Sequence, residues 1–144
     1  MVITQKQAEK IIRDTVQLVE DVFGRPYYRV STTDRKKAKL LIKKALQNGY
    51  VMAYCQKEKE FDREAGLILR KAYLSTGKKL IYTFSILFWY DQEIWIECQL
   101  DYIYLPYGKE AFSEHDLKKA LDLSQEKEVR FPIYRKVIEA KWLE

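Results

Sequence analysis

One histidine, two cysteines, three prolines and five glycines leave this 144-residue chain short of several chemistries. With His115 alone, neither a His-based metal site nor a two-imidazole acid/base pair can be built. His115 stands between Glu114 and Asp116, at the second position of an expected helix, where the positive end of the helix dipole disfavours an imidazolium. Cys55 and Cys98 form no CxxC pair. Both fall inside apolar strand patterns, so they read as reduced core thiols rather than as a disulfide. No GxGxxG is present, and Ser75-Thr76-Gly77-Lys78-Lys79 fails as a phosphate loop because Ala72 stands where the first glycine is required. The longest apolar run, Ile86 to Tyr90, is too short to span a bilayer. The first residues are charged and helical in pattern, with no apolar leader. A cytoplasmic protein without cofactor, metal or transmembrane segment is the expectation.

What is present suits a folded domain. Hydrophobic residues make up 47% and charged residues 33%, a balance that excludes intrinsic disorder, and the length fits one domain over residues 1–144. Residues 4–23 predict a helix. Thr4 and Gln7 have capping-box spacing, Ile3 can staple onto Ala8, and Ile11, Ile12, Thr15, Val19 and Val22 continue one apolar stripe. Gly24 and Pro26 stop it. A short strand is expected over Tyr27 to Ser31, a helix from Asp34 to about Gln47, and a strand from Tyr50 to Gln56. Phe61, Ala65, Ile68, Leu69 and Ala72 have helical spacing and predict a helix from Lys59 to Ser75. Ser113 caps a further helix to about Ser124, with Asp116 at the box position and Phe112 stapled to Leu117. Pro132 opens a last one, Ile133 to Leu143.

The strongest β signal is the pair 79–90 and 93–105. The first is apolar on both alternating sets, hence central and covered on both faces. The second alternates Ile94, Ile96, Cys98 and Leu100 against Glu93, Trp95, Glu97 and Gln99, one face dry and one wet. The fold class is therefore α+β: a central antiparallel hairpin with shorter strands, packed with about five helices.

Charge is the uneven property. Residues 22–57 carry nine cations and one acid, Asp34, in a chain whose formal net charge is only +5. The remainder is net acidic. Arg25, Arg29, Arg35, Lys36, Lys37, Lys39, Lys43 and Lys44 lie beside Tyr27, Tyr28, Tyr50 and Tyr54. Cations that neutralise phosphates, next to rings that can stack on bases, point to RNA or single-stranded DNA; an acidic protein or anionic lipid surface would meet the same cations. The leading expectation is a non-enzymatic binding protein that uses this basic, tyrosine-flanked region, with Arg25 to Lys44, Tyr28 and Tyr54 as contact residues.

Two other readings attach to the hairpin. Trp95 between Glu93 and Glu97 resembles an interface anchor ringed by charge, as in an inhibitor, antitoxin or adaptor. Asp91 followed by Glu97-Cys98-Gln99 resembles the metal-binding strand of PD-(D/E)xK nucleases, which implies Mg²⁺ held at Asp91, Glu97 and Gln99. Gln99 replaces the usual lysine, Tyr90 replaces the proline, and Asp91 lies unusually close.

Overall fold

The computed structural model describes residues 2–24, 29–55, 67–121 and 133–134, with the side chains at 29–30, 52–55, 89–91 and 133–134 outside that description. Along the chain run β1 (Val2–Ile3), α1 (Gln5–Phe23), β2 (Arg29–Thr32), α2 (Arg35–Gln47), β3 (Val51–Cys55), β4 (Leu67–Ser75), β5 (Leu80–Asp91), β6 (Glu93–Tyr104), α3 (Glu114–Leu121) and β7 (Ile133–Tyr134). The strands form one mixed sheet. Its five longer members are ordered β2-β6-β5-β4-β3, with β7 beside β3 and β1 beside β4. Among the described residues no helix is long and apolar enough to cross a membrane.

The expected hairpin is the centre of this sheet. Residues of β5 and β6 pair from Leu80↔Tyr104 to Asp91↔Glu93 without interruption, and Gln92 turns the tip with a positive φ of 64°. Phe84, Ile86 and Ile96 are fully buried, and Leu100 is half-buried. On the opposite face of β5, Ile81, Thr83 and Ser85 are buried as well, so the strand is covered on both faces as its two apolar sets require.

The segment expected to be helical is corrected over its described part. Residues 67–75 are a strand, β4, paired antiparallel with β5 from Leu67↔Phe88 to Leu74↔Ile81. Leu67-Ile68-Leu69 are all buried, and a run of apolar residues carries no period that separates a helix from a two-sided strand. The turn Thr76–Lys78 therefore joins two strands, and Gly77, at φ 81°, supplies the left-handed residue it needs. Ile133–Tyr134 pairs with Tyr54–Cys55 as β7, so the expected last helix does not begin there; residues 135–143 lie outside the description. Three α-helices are present among the described residues, not about five.

α1 forms as expected. Thr4 accepts from the Gln7 backbone N–H while the Gln7 side chain accepts from that of Thr4, and Gly24 closes the helix at φ 75°. α1 and α2 share one face of the sheet, where Ala8, Val16 and Val19 of α1 and Ala38, Leu41, Ile42 and Ala45 of α2 meet Leu69, Phe84, Ile86, Phe88, Ile94 and Ile96. α3 covers the other face at one end, packing Phe112 and Leu117 on Ala72, Leu74 and Ile81. Four successive antiparallel pairings leave β2 and β3 parallel to each other at opposite sides of β6, β5 and β4. α2, which joins them, carries the chain across the whole sheet.

Candidate functional site

α2 is built to hold a fixed orientation. The Thr32 hydroxyl accepts from the Asp34 backbone N–H, and the Asp34 carboxylate accepts from those of Lys36 and Lys37 at 3.0 and 3.2 Å, satisfying two orphan donors of the first turn. At the other end the Asn48 backbone and side-chain amide both donate to the Lys44 carbonyl. Ala38, Leu41, Ile42 and Ala45 face the core, which turns the remaining positions outward. Arg35, Lys36, Lys37, Lys39 and Lys43 are exposed, Lys44 is half-buried, and Leu40 is exposed among them. The one acid of the element, Asp34, is engaged in the cap. Among the described residues none of these six cations makes an ion pair.

Helix stability does not explain this placement. Arg35, Lys36 and Lys37 occupy the first turn, where the dipole is positive and each cation is disfavoured by about 0.3–1 kcal/mol.

Of the flanking tyrosines, only Tyr50 has a described side chain. Tyr50 is only 4% exposed, with its phenol hydrogen-bonded to Thr15 of α1, so it is core rather than a stacking platform. Tyr54 is placed on β3 opposite Leu67, and Arg29 on β2 opposite Glu97. Arg25, Tyr27 and Tyr28 lie outside the described residues. What the fold brings together is a cationic helix face.

On the hairpin, Trp95 is 40% exposed, and Glu93 and Glu97 beside it are half-buried. α3 covers the far end of this face, so Trp95 stays open to solvent. In the strand register Asp91 is opposite Glu93 and Glu97 is opposite Leu87, so their backbones stand four residues apart along the strand, roughly 13 Å. The Asp91 side chain lies outside the described residues. No cluster of three potential metal ligands occurs among the described residues. His115 is exposed on α3.

Two polar clusters had no signal in the sequence pattern. The Lys71 ammonium lies 4.7 Å above the Tyr50 ring and 3.4 Å from the Asn48 carbonyl. Burial lowers its pKa, with Asp14 opposing. Burial raises Tyr50 and Tyr73, and pushes the Cys98 thiol up to about 12. Burial thus keeps the two phenols and the thiol protonated, while it acts on Lys71 in the opposite direction. On the other face, Arg70 donates to the Ser85 hydroxyl at 3.2 Å and to the Ala120 carbonyl at 3.4 Å, a cation at the negative end of α3. Both clusters depend on β4, whose strand character the residue spacing hides. No family model, curated protein or solved structure matches the chain.

Proposed function

We propose that this is a non-enzymatic binding protein whose outward α2 face engages a polyanion, with nucleic acid the foremost partner. The observation that supports this is the set Arg35, Lys36, Lys37, Lys39, Lys43 and Lys44 on one rigid helix, with its single acid consumed in the cap. Lysines spaced along a helix neutralise successive phosphates, and the condensed counterions they release drive binding. Such contacts position a backbone without reading its sequence. A second reading, a protein-interaction module centred on Trp95 with Glu93 and Glu97, is favoured by the exposure of that ring.

Titrations of single-stranded RNA, single-stranded DNA and duplex at several salt concentrations test the proposal. With about four phosphates contacted on a single strand, the log–log slope of affinity against salt is expected near −3. Reversing Lys36, Lys39 and Lys43 to Glu flattens the slope and weakens all sequences alike, with the fold intact because these side chains point away from the core. Tyr28→Ala or Tyr54→Ala costs about 1–3 kcal/mol where a base stacks on the ring. Absence of binding to every nucleic acid at low salt, where screening is least, overturns the nucleic-acid assignment and turns attention to acidic proteins and to Trp95.

A further inference from the structure

The outer end of β6 carries a surface that polyanion binding does not use. Tyr102, Ile103 and Tyr104 are 46%, 39% and 72% exposed, and Tyr107, three residues on, is fully exposed. Single exposed apolar residues are ordinary; four large ones within six positions are not. Among the described residues β2 pairs with β6 from Ile94 to Glu97, and residues 25–28 ahead of β2 lie outside the description. Among the described residues no strand pairs with the same edge from Cys98 to Tyr104, while β5 fills the opposite edge to its end.

Exposed edges are normally guarded by lysine, proline or a bulge. Between Cys98 and Tyr104 there is no lysine and no proline, and the β5–β6 register runs through it without a bulge. Asp101 is the one charge, and Pro106 ends the strand-like run just beyond it. The Tyr102 ring is held edge-on against Tyr82 at 5.7 Å, so this end of the strand is already ordered for contact.

We infer that this edge is a homotypic interface, at which two copies pair their β6 strands antiparallel about a twofold axis through Ile103. The segment Tyr-Ile-Tyr is its own complement in that arrangement. Ile103 meets Ile103 of the second copy, and Tyr102 meets Tyr104 of the second copy. Asp101 falls opposite Leu105, so the two carboxylates do not face each other. The four apolar residues expose on the order of 500 Å² per copy, since an aromatic side chain presents roughly 150–250 Å². Two copies would then bury at most on the order of 1,000 Å², the area at which specific interfaces begin. A charged partner has little to recognise here, because the edge offers one carboxylate and no cation.

Sedimentation of the full chain from about 1 to about 100 µM, spanning the affinities such an area supports, tests this. A monomer–dimer equilibrium is expected, unaffected by the Lys36, Lys39 and Lys43 reversals. Ile103→Lys with Tyr104→Glu is expected to weaken dimerisation at least tenfold. Ile103→Cys locates the axis independently of that variant's folding. Opposed antiparallel residues have Cα atoms about 4.5–5.5 Å apart, within disulfide range, so this chain should form a covalent dimer on mild oxidation. The native chain and Trp95→Cys should not. A native chain monomeric throughout, a dimer that survives the double substitution, or cross-linking through Trp95→Cys in place of Ile103→Cys overturns the inference.

Discussion

At Tyr50 a phenol hydroxyl is buried beneath α1, and the Thr15 hydroxyl beside it donates to the Ile11 carbonyl at 2.8 Å. With that proton directed at Ile11, Tyr50 is the donor to Thr15. The two ends of the bond are therefore unequal. Tyr50→Phe removes a donor and leaves Thr15 bonded to Ile11, an expected cost of about 1 kcal/mol in urea unfolding. Thr15→Val leaves the Tyr50 hydroxyl buried without a partner, an expected cost of about 1–3 kcal/mol. Equal costs would refute the assigned direction. The same neighbourhood sets the alkaline limit of stability. Tyr50, Tyr73 and Cys98 hold their protons more tightly folded than unfolded, mainly because burial disfavours their charged forms. Their contribution is whole below their unfolded values and is lost as pH rises through the folded ones. The window opens near the ordinary thiol value of 9.0, and for Cys98 closes at about 12. Lys71, lowered by burial, runs the other way, but three acids oppose this one half-buried base. Thermal unfolding temperature is expected to fall above pH 9, and Cys98→Val should flatten the first part of that fall. The core position of Cys98 was legible from the sequence, but the Tyr50–Thr15 bond was not, because the two residues are 35 positions apart and only the packing of α1 joins them.

Among the elements, α3 shows what local sequence conveys well. Ser113 caps it in both directions: the Asp116 backbone N–H donates to the Ser113 hydroxyl oxygen, and the Ser113 N–H donates to the Asp116 carboxylate at 2.7 Å. Lys109 lies 2.6 Å from that carboxylate and, with the Ser113 bonds, holds it well below the usual carboxylate range. Ser113→Ala is expected to cost about 1 kcal/mol. The support Asp116 lends is present above the ordinary aspartate value and is lost as pH falls below it, so Asp116→Asn should remove that acid dependence from the melting profile. Every partner in this cap lies within seven residues, which is why Ser113, Asp116 and the Phe112–Leu117 contact were readable. β4 is the opposite case. Its apolar residues serve both faces, so Ile68, Leu69 and Ala72 satisfied a helical spacing while Leu67, Leu69, Ala72 and Leu74 were being buried in a strand. Only the need of β5 for a neighbour pointed to another strand, and that need is not local.

For the molecule as a whole, order along the chain and order across the sheet disagree. β2 pairs with β6, which places Arg29 opposite Glu97, whereas β3–β4, β4–β5 and β5–β6 pair strands that are neighbours in sequence. A mixed α/β domain with such a distant pairing is expected to refold in roughly milliseconds rather than microseconds, as stopped-flow measurement would check. The candidate site was legible at this scale because charge is additive along a sequence. Nine cations against Asp34 need no fold to be counted, and the stripe Ala38, Leu41, Ile42 and Ala45 already said which way the lysines of α2 point. The place of Tyr50 was not, since its burial is decided by another element.

The passage of α2 from β2 to β3 also sets a gauge. Thirteen residues at 1.5 Å each make a helix of about 20 Å, and the four strand intervals from β2 to β3 span about 19 Å. One strand interval is thus worth about three residues of helix, close to a full turn. The length of α2 is thus comparable to the width that its connection crosses between β2 and β3. An insertion or deletion of one turn there would preserve the buried stripe almost unrotated, yet change the reach of that connection by about 5 Å.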